Sequence, residues 1–573
     1  MLDECLKYFE KELEENQNLV VDTVIPADGD YVLVHHDGSY DTYKIKYSKK
    51  EGSFIEKPAQ DIFNKIRFYD YHSKLICISK PQDPGKTIHS NNYYSLFVKK
   101  ENFANGKMNN ATIDRYFKSL RCPREKYNGK DLKMYDFVSS ELEDLNDNIL
   151  NKHLEWLKNN IYSLKDVNYD EKGYLKIFFE AEQNEYVNES KRYTLTKIFN
   201  KNDYNIYKDN TVYGLSNYNM QLNTKKPFLK NKSRYKVIPY LVSLKQALVL
   251  KQFFDYLTNQ SNEGRNNIYI DTDDFATKRV ICLKNNEKLE DERFNGIFLK
   301  IRKGKEELII QYVDTLTDYT TYLKPAFDYA NVIEAINDEC YRLYNQKYDI
   351  ENLIDEILFS KYLKNNYFTA IEDLKGIDSI YKKNILKARD IIFQWRYLGR
   401  IENINKVLKE VALDMVKYSL RKGYYKKAQK QLNLYFSLRK YFNNEVINMS
   451  DVRTSLRNKI NATIQQSIEN DEEYSYAIGQ AISYLQDRSK SRSSTQDMIN
   501  QFLLIKKDSV LKNRLRQLYQ RYNYDLKKGK NRYSSLLAMI MEYDKTQKID
   551  QDKMLAGYLG DNLIYEKRGL DNE

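Results

Sequence analysis

The sequence predicts an α+β N-terminal region followed by an all-α helical C-terminal region, and three observations carry this. All eight prolines (Pro26, Pro58, Pro81, Pro84, Pro123, Pro227, Pro239 and Pro325) fall at or before Pro325, and the rest of the 573-residue chain contains none. Proline breaks helix interiors, so the long proline-free tract favours continuous helix. Within that tract Leu511, Leu515, Leu518 and Tyr522 step by four, three and four, the spacing of one buried helical face. Upstream of Pro325, short apolar runs bounded by turn residues read as strands instead.

In chain order, Tyr31-Val32-Leu33-Val34 and Tyr43-Lys44-Ile45-Lys46-Tyr47 form a predicted hairpin around the turn-rich Asp37-Gly38-Ser39. Helical periodicity covers Ser139–Trp156, and a strand is predicted over Tyr174–Glu180. A second helix spans Leu244–Leu257, and further strands lie over Arg279–Leu283, Gly296–Ile301 and Glu307–Val313. From about residue 326 everything reads as helix. The expected division is therefore 1–325, mixed α+β; 326–448, a helical connecting region; and 449–573, a C-terminal helical bundle. No internal repeat of about 20–50 residues interrupts this order.

Composition narrows the function. The chain has 93 Lys+Arg against 81 Asp+Glu, a formal charge of +12, and 41% apolar residues, enough for substantial cores. Tyrosine is abundant, at 51 residues against 24 Phe and 2 Trp. Its ring with a polar tip suits wet interfaces and base stacking. Cys5, Cys77, Cys122, Cys282 and Cys340 lie far apart with no Cys-x-x-Cys pair, which excludes a disulfide framework and argues against a zinc site. No segment approaches about 18 uninterrupted apolar residues. Met1–Leu6 opens an acidic amphipathic stretch rather than a signal sequence. A cytoplasmic protein with no membrane partner is expected.

Catalytic motifs fail one by one. Asp83-Pro84-Gly85-Lys86-Thr87 ends like a phosphate-binding loop, but the glycine required five residues before Gly85 is Lys80. His35-His36-Asp37 sits just before the predicted hairpin turn, where solvated polar residues are expected, and few other His remain to complete a metal set. Asp271-Thr272-Asp273-Asp274 lacks the glycine and closing glutamate of a calcium loop. No enzyme, metal or cofactor is predicted.

Basic tracts are more informative. Between Asn210 and Phe254 there are eight Lys/Arg and no acid, and Lys225, Lys226, Lys230, Lys232 and Arg234 cluster within it. Solubility alone is usually served by mixed charge signs, whereas a long acid-free stretch suits a polyanion. A second tract carries Lys506, Lys507, Lys512, Arg514, Arg516, Arg521, Lys527, Lys528, Lys530 and Arg532 against only Asp508 and Asp525. Lys507, Arg514 and Arg521 are seven apart and form one stripe beside the apolar seam. Such stems can simply cover a core, or the surface can track a nucleic-acid strand.

Several blocks then carry a resemblance. They are Tyr71–Asp83 continuing through Lys86–Lys100, Gly214–Asn219 leading into Asn223–Leu229, Tyr476–Leu485, and Ala556-Gly557-Tyr558-Leu559. In order and spacing they resemble the large-subunit family of type I-B CRISPR effector complexes (Cascade). The resemblance implies a non-catalytic DNA-surveillance subunit at the 5′ end of a guide RNA, which senses the motif flanking the target and wedges the duplex open. Its implied partners are the guide RNA, target double-stranded DNA with its displaced strand, the backbone, 5′-end-binding and small subunits, and a helicase-nuclease. It further implies that the C-terminal bundle is small-subunit-like. Some relatives carry a Cys-x-x-Cys zinc element, which this sequence lacks. Within the first block Lys80, Lys86, Lys99 and Lys100 are candidate nucleic-acid contacts. Asn91 and Asn92 suit either base-edge hydrogen bonds or the cap of a turn or of a helix beginning near Tyr94. The competing readings are a nuclease or nucleotidyltransferase with dispersed carboxylates, and a free-standing nucleic-acid-binding protein.

One further expectation concerns translation. A single fused bundle per large subunit is too little to line a long displaced strand. Met449 is a candidate internal start, which would release residues 449–573, with 21 Lys/Arg and 17 Asp/Glu. Glu445-Val446 can be encoded with a GAGGT core, and Ile447-Asn448 supply a spacer; Met415 is the rival start.

Overall fold

A computed structural model describes residues 2–48, 50–77, 80–216, 241–273, 279–290, 293–304, 308–334, 338–488, 498–505, 507–522, 531–544 and 549–566. They fall into two units: Met1–Glu287 with Asn295–Thr317, and Lys288–Phe294 with Asp318–Glu573. The first is α+β, and the second is mainly helical.

The first unit is organised by a five-stranded sheet of β1 (Gly29–Val34), β2 (Tyr40–Ser48), β3 (Ser53–Glu56), β4 (Ser95–Lys99) and β5 (Tyr174–Phe179), ordered β3-β2-β1-β5-β4. β1 and β2 form the expected hairpin, with Val34 opposite Tyr40. Its turn is closed by Asp37, whose carboxylate accepts from the Ser39 amide at 2.9 Å and from the Ser39 hydroxyl. β1 runs parallel to β5 and every one of its residues is buried, as befits a central strand covered on both faces. Gly29 is required there: a Cβ would lie 2.1 Å from the Tyr174 carbonyl oxygen. Helix Gln60–Tyr71 contributes Asp70, which pairs with Lys176 of β5 at 2.5 Å. Lys100 and Asp30 form a second buried pair, also at 2.5 Å.

The predicted helix over 139–156 is corrected. One helix ends at Ser139, and a separate one begins at Asp147, because the Asn146 side chain caps it by accepting from the Ile149 amide. Helix Leu244–Asn262 starts where expected, under a Ser243/Gln246 capping box. It packs on helix Leu2–Glu15 through Phe9 and Phe253, whose rings are 5.1 Å apart. The remaining predicted strands appear as Val280–Leu283, Phe294–Lys303 and Leu308–Tyr319, in a four-stranded sheet with Asn267–Asp271.

In the second unit, helix does not begin at 326. Tyr322–Asp328, which contains Pro325, pairs antiparallel with Leu343–Gln346, and the helical array starts at Lys347. Its later members include Tyr425–Asn443, Met449–Asn461, Asp471–Asp487, Asp508–Tyr522, Arg532–Glu542 and Gln551–Leu559. Helix 471–487 is the centre of this group: Glu473 to Ile482 are buried without interruption, as are Tyr484 and Leu485. A helix buried all round needs neighbours on every side, and helices 449–461, 508–522, 532–542 and 551–559 supply them. Among the described residues no helix is long and apolar enough to cross a membrane.

Candidate nucleic-acid interface

The candidate interface is built on helix Asp508–Tyr522. Leu511, Leu515 and Leu518 are buried and seat the helix on the bundle. Seven residues advance a helix by nearly two full turns, so Lys507, Arg514 and Arg521 fall in one narrow row along its flank. All three are exposed, and none makes an ion pair among the described residues. Arg516 is exposed on the other flank, with Nη1 3.4 Å from Asn513 Oδ1. A row of exposed guanidinium and ammonium groups spaced by about 10 Å, unpaired among the described residues, can bind phosphates along a backbone without reading bases.

Two other members of this tract are turned inward. Lys512 pairs with Asp508 at 3.1 Å and donates to the Tyr543 carbonyl at 2.5 Å. Arg532 donates to the carbonyls of Ile564 (3.2 Å) and Glu566, strapping the chain's last described turn. Lys506, Lys527, Lys528 and Lys530 lie outside the described residues, as does the first-tract cluster Lys225, Lys226, Lys230, Lys232 and Arg234.

The 80–100 block of the first unit is mostly occupied with its own fold. Lys80 Nζ donates to three carbonyls, those of Phe199 (2.7 Å), Asn200 (3.2 Å) and Lys197 (3.3 Å), and burial pushes its pKa down to about 8. Lys100 is buried against Asp30. Asn92 is fully buried: its amide donates to the Tyr186 carbonyl at 3.2 Å and its oxygen accepts from the Tyr94 amide at 3.0 Å. Asn91 is buried as well, and its backbone N–H donates to the Ser73 carbonyl at 2.7 Å. These two asparagines therefore hold a turn, and the element after it is strand β4 rather than a helix. Lys99 remains exposed beside Glu101 at 3.4 Å, and Lys86 is exposed with a left-handed φ of 57°.

The loop just before it, Asp83–Ile88, explains the phosphate-loop look-alike. The amides of Gly85, Thr87 and Ile88 point at Asp83, at 2.9, 2.7 and 3.1 Å, and Arg115 Nε donates to the same carboxylate at 3.0 Å. Burial raises the Asp83 pKa, but the Arg115 and amide hydrogen bonds outweigh it and hold the carboxyl below its usual value. An internal carboxylate thus fills the place a phosphate would take. His35 is likewise engaged, with Nδ1 3.1 Å from Glu180 and Nε2 3.1 Å from Asp41, and both carboxylates raise its pKa. Among the described residues no group of three or more His, Cys, Asp or Glu is arranged to hold a metal ion.

No family model, curated protein or solved structure matches the chain.

Proposed function

We propose that this chain is the non-catalytic large subunit of a CRISPR RNA-guided DNA surveillance complex. In this reading it senses the target-flanking motif, helps open the duplex, holds the displaced strand on its small-subunit-like C-terminal bundle and supports recruitment of a helicase-nuclease. The observation that carries the nucleic-acid part is the exposed, acid-free row of Lys507, Arg514 and Arg521 along the flank of helix Asp508–Tyr522, beside the face that Leu511, Leu515 and Leu518 bury. The family assignment is supported by the ordered blocks between Tyr71 and Leu559. Base pairing by the guide delegates sequence readout, so backbone contacts and a short duplex element are what the protein itself must supply.

Affinity purification of the tagged full chain from its native cells tests this. A bound guide RNA together with other effector subunits is the expected result. Recovery without RNA or those subunits defeats the proposal, and Mg²⁺- or Mn²⁺-dependent cleavage by the purified chain would favour a nuclease instead.

A further inference from the structure

Four tyrosines far apart in sequence form one column of rings in the C-terminal bundle. Tyr519 of helix 508–522 stacks on Tyr533 of helix 532–542, with centroids 5.8 Å apart and planes inclined 15°. Tyr533 stacks in turn on Tyr484 of helix 471–487 at 4.8 Å and 20°. Tyr484 meets Tyr565 at 5.3 Å and 39°. Tyr533 and Tyr484 are buried, whereas Tyr565 is 48% exposed. The column therefore ends in a half-open ring.

That ring is held in place. The Arg532 guanidinium donates to the carbonyls on either side of it, Ile564 and Glu566. The Glu566 carboxylate is consumed by Arg453 (2.5 Å) and Arg457 (2.7 Å). The Arg488 guanidinium lies 5.8 Å from the Tyr565 centroid and 5.1 Å from that of Tyr484. A fixed, half-open aromatic ring at the end of a stack, flanked by a guanidinium, is complementary to a flat base attached to a phosphate backbone.

We infer that Tyr565 is a stacking platform for one unpaired base of a single strand, an inference that rests on reading this bundle as strand-binding. The test uses the full chain and a single-stranded DNA oligonucleotide carrying 2-aminopurine. Expected are quenching of 2-aminopurine on binding, roughly tenfold weaker binding by Tyr565→Leu, and near-normal binding by Tyr565→Phe and Tyr565→Trp. The Leu variant should keep the wild-type salt slope, since it neutralises as many phosphates as before. Wild-type affinity in a folded Tyr565→Leu variant overturns this inference alone, while binding through the cationic row persists. Absence of any salt-dependent binding by the wild-type chain overturns both it and the strand-binding reading.

Discussion

Gly479 and Gly557 face each other where helix 471–487 crosses helix 551–559. A Cβ on Gly479 would lie 2.1 Å from the Met554 carbonyl oxygen, and one on Gly557 would lie 2.1 Å from that of Tyr476. Neither neighbour is a flexible side chain that can yield, so the helices approach closely only because both positions lack a side chain. Gly479→Ala or Gly557→Ala must push two backbones apart in a fully packed core. Each is expected to lower stability by about 3 kcal/mol, at the upper end for overpacking. Urea unfolding together with hydrogen exchange of peptides from 471–487 checks this; a decrease below about 1 kcal/mol would mean the crossing relaxes.

This crossing also shows what the sequence makes legible. The Tyr476–Leu485 and Ala556–Leu559 blocks, singled out only for the family resemblance they carry, are the two sides of one helix contact. The β1–β2 hairpin is readable from alternation and a turn of Asp, Gly and Ser. Strand β4 is not, because Asn91-Asn92 looks the same whether it caps a helix or a turn. Only the distant Tyr186 carbonyl, accepting from Asn92, decides between them. The Asn146 cap is hidden in the same way inside a continuous helical periodicity. Charge alone likewise cannot separate Lys507 from Lys512, because Asp508 and the Tyr543 carbonyl occupy the second and leave the first exposed. The tyrosine column joins residues from three helices and a terminal turn, so no local pattern encodes it.

The Lys176–Asp70 pair predicts an asymmetric mutational response. Both side chains are under 10% exposed, and the Lys176 ammonium also lies 4.6 Å from the Phe97 ring centroid. Lys176→Met strands the Asp70 carboxylate and should cost about 3–5 kcal/mol. Adding Asp70→Leu removes the stranded charge and should recover most of that stability. Equal destabilisation by the single and double variants in urea titrations would show that packing, not the unpaired charge, sets the cost.

His153 predicts acid sensitivity of the first unit. Burial pushes its pKa down to about 4; its ring stacks on Phe179 at 3.9 Å and its Nδ1 lies 3.1 Å from the Tyr93 carbonyl oxygen. It is neutral in the fold, whereas the unfolded chain protonates it near pH 6.5. The stability it contributes is thus present above about pH 6.5, and is lost as pH falls from there toward 4. The expected decrease is about 2 kcal/mol between pH 7 and pH 5. Hydrogen exchange of peptides spanning 147–160 measures it, and His153→Asn should flatten the dependence. An unchanged slope in that variant would assign the acid sensitivity elsewhere.

The cationic row predicts a salt signature. Changing Lys507, Arg514 and Arg521 to Gln should lower the slope of log K against log salt by about 0.7 for each phosphate left unneutralised on a single strand. Adding Lys506 and Arg516 to the set should weaken opening of a full target duplex more than recognition of the flanking motif, because holding the displaced strand tips a nearly balanced exchange. Permanganate footprinting of that strand reads the difference. Charge reversal of Lys225, Lys226, Lys230, Lys232 and Arg234 should instead abolish target binding altogether. Equal footprints in mutant and wild type would remove the helix from the strand's path.

Internal initiation at Met449 predicts a second, shorter protein from the same gene, and the fold adds a condition to it. Met449 is the buried first residue of helix 449–461, so a product starting there keeps that helix whole. Residues 449–573 are not self-contained, however. In the long chain Asp552 accepts from Arg439 Nη1 at 2.7 Å and from the Tyr435 hydroxyl, and Gln429 donates to the Leu559 carbonyl at 2.8 Å. All of those donors lie upstream, on helix 425–443, and would be missing from the short product. Leu559, 4% exposed in the long chain, would be laid partly open with them. The free segment is therefore expected to be found only in the assembled complex or as an oligomer, covering this face with another surface. A start at Met415 would instead retain helix 425–443 but cut through helix Ile404–Arg421, which packs on it, and so leave a different face to be covered. Intact-mass spectrometry of the purified complex distinguishes the two starts. A short protein that persists after Met449 is recoded excludes that start, and its absence from the wild-type complex ends the proposal.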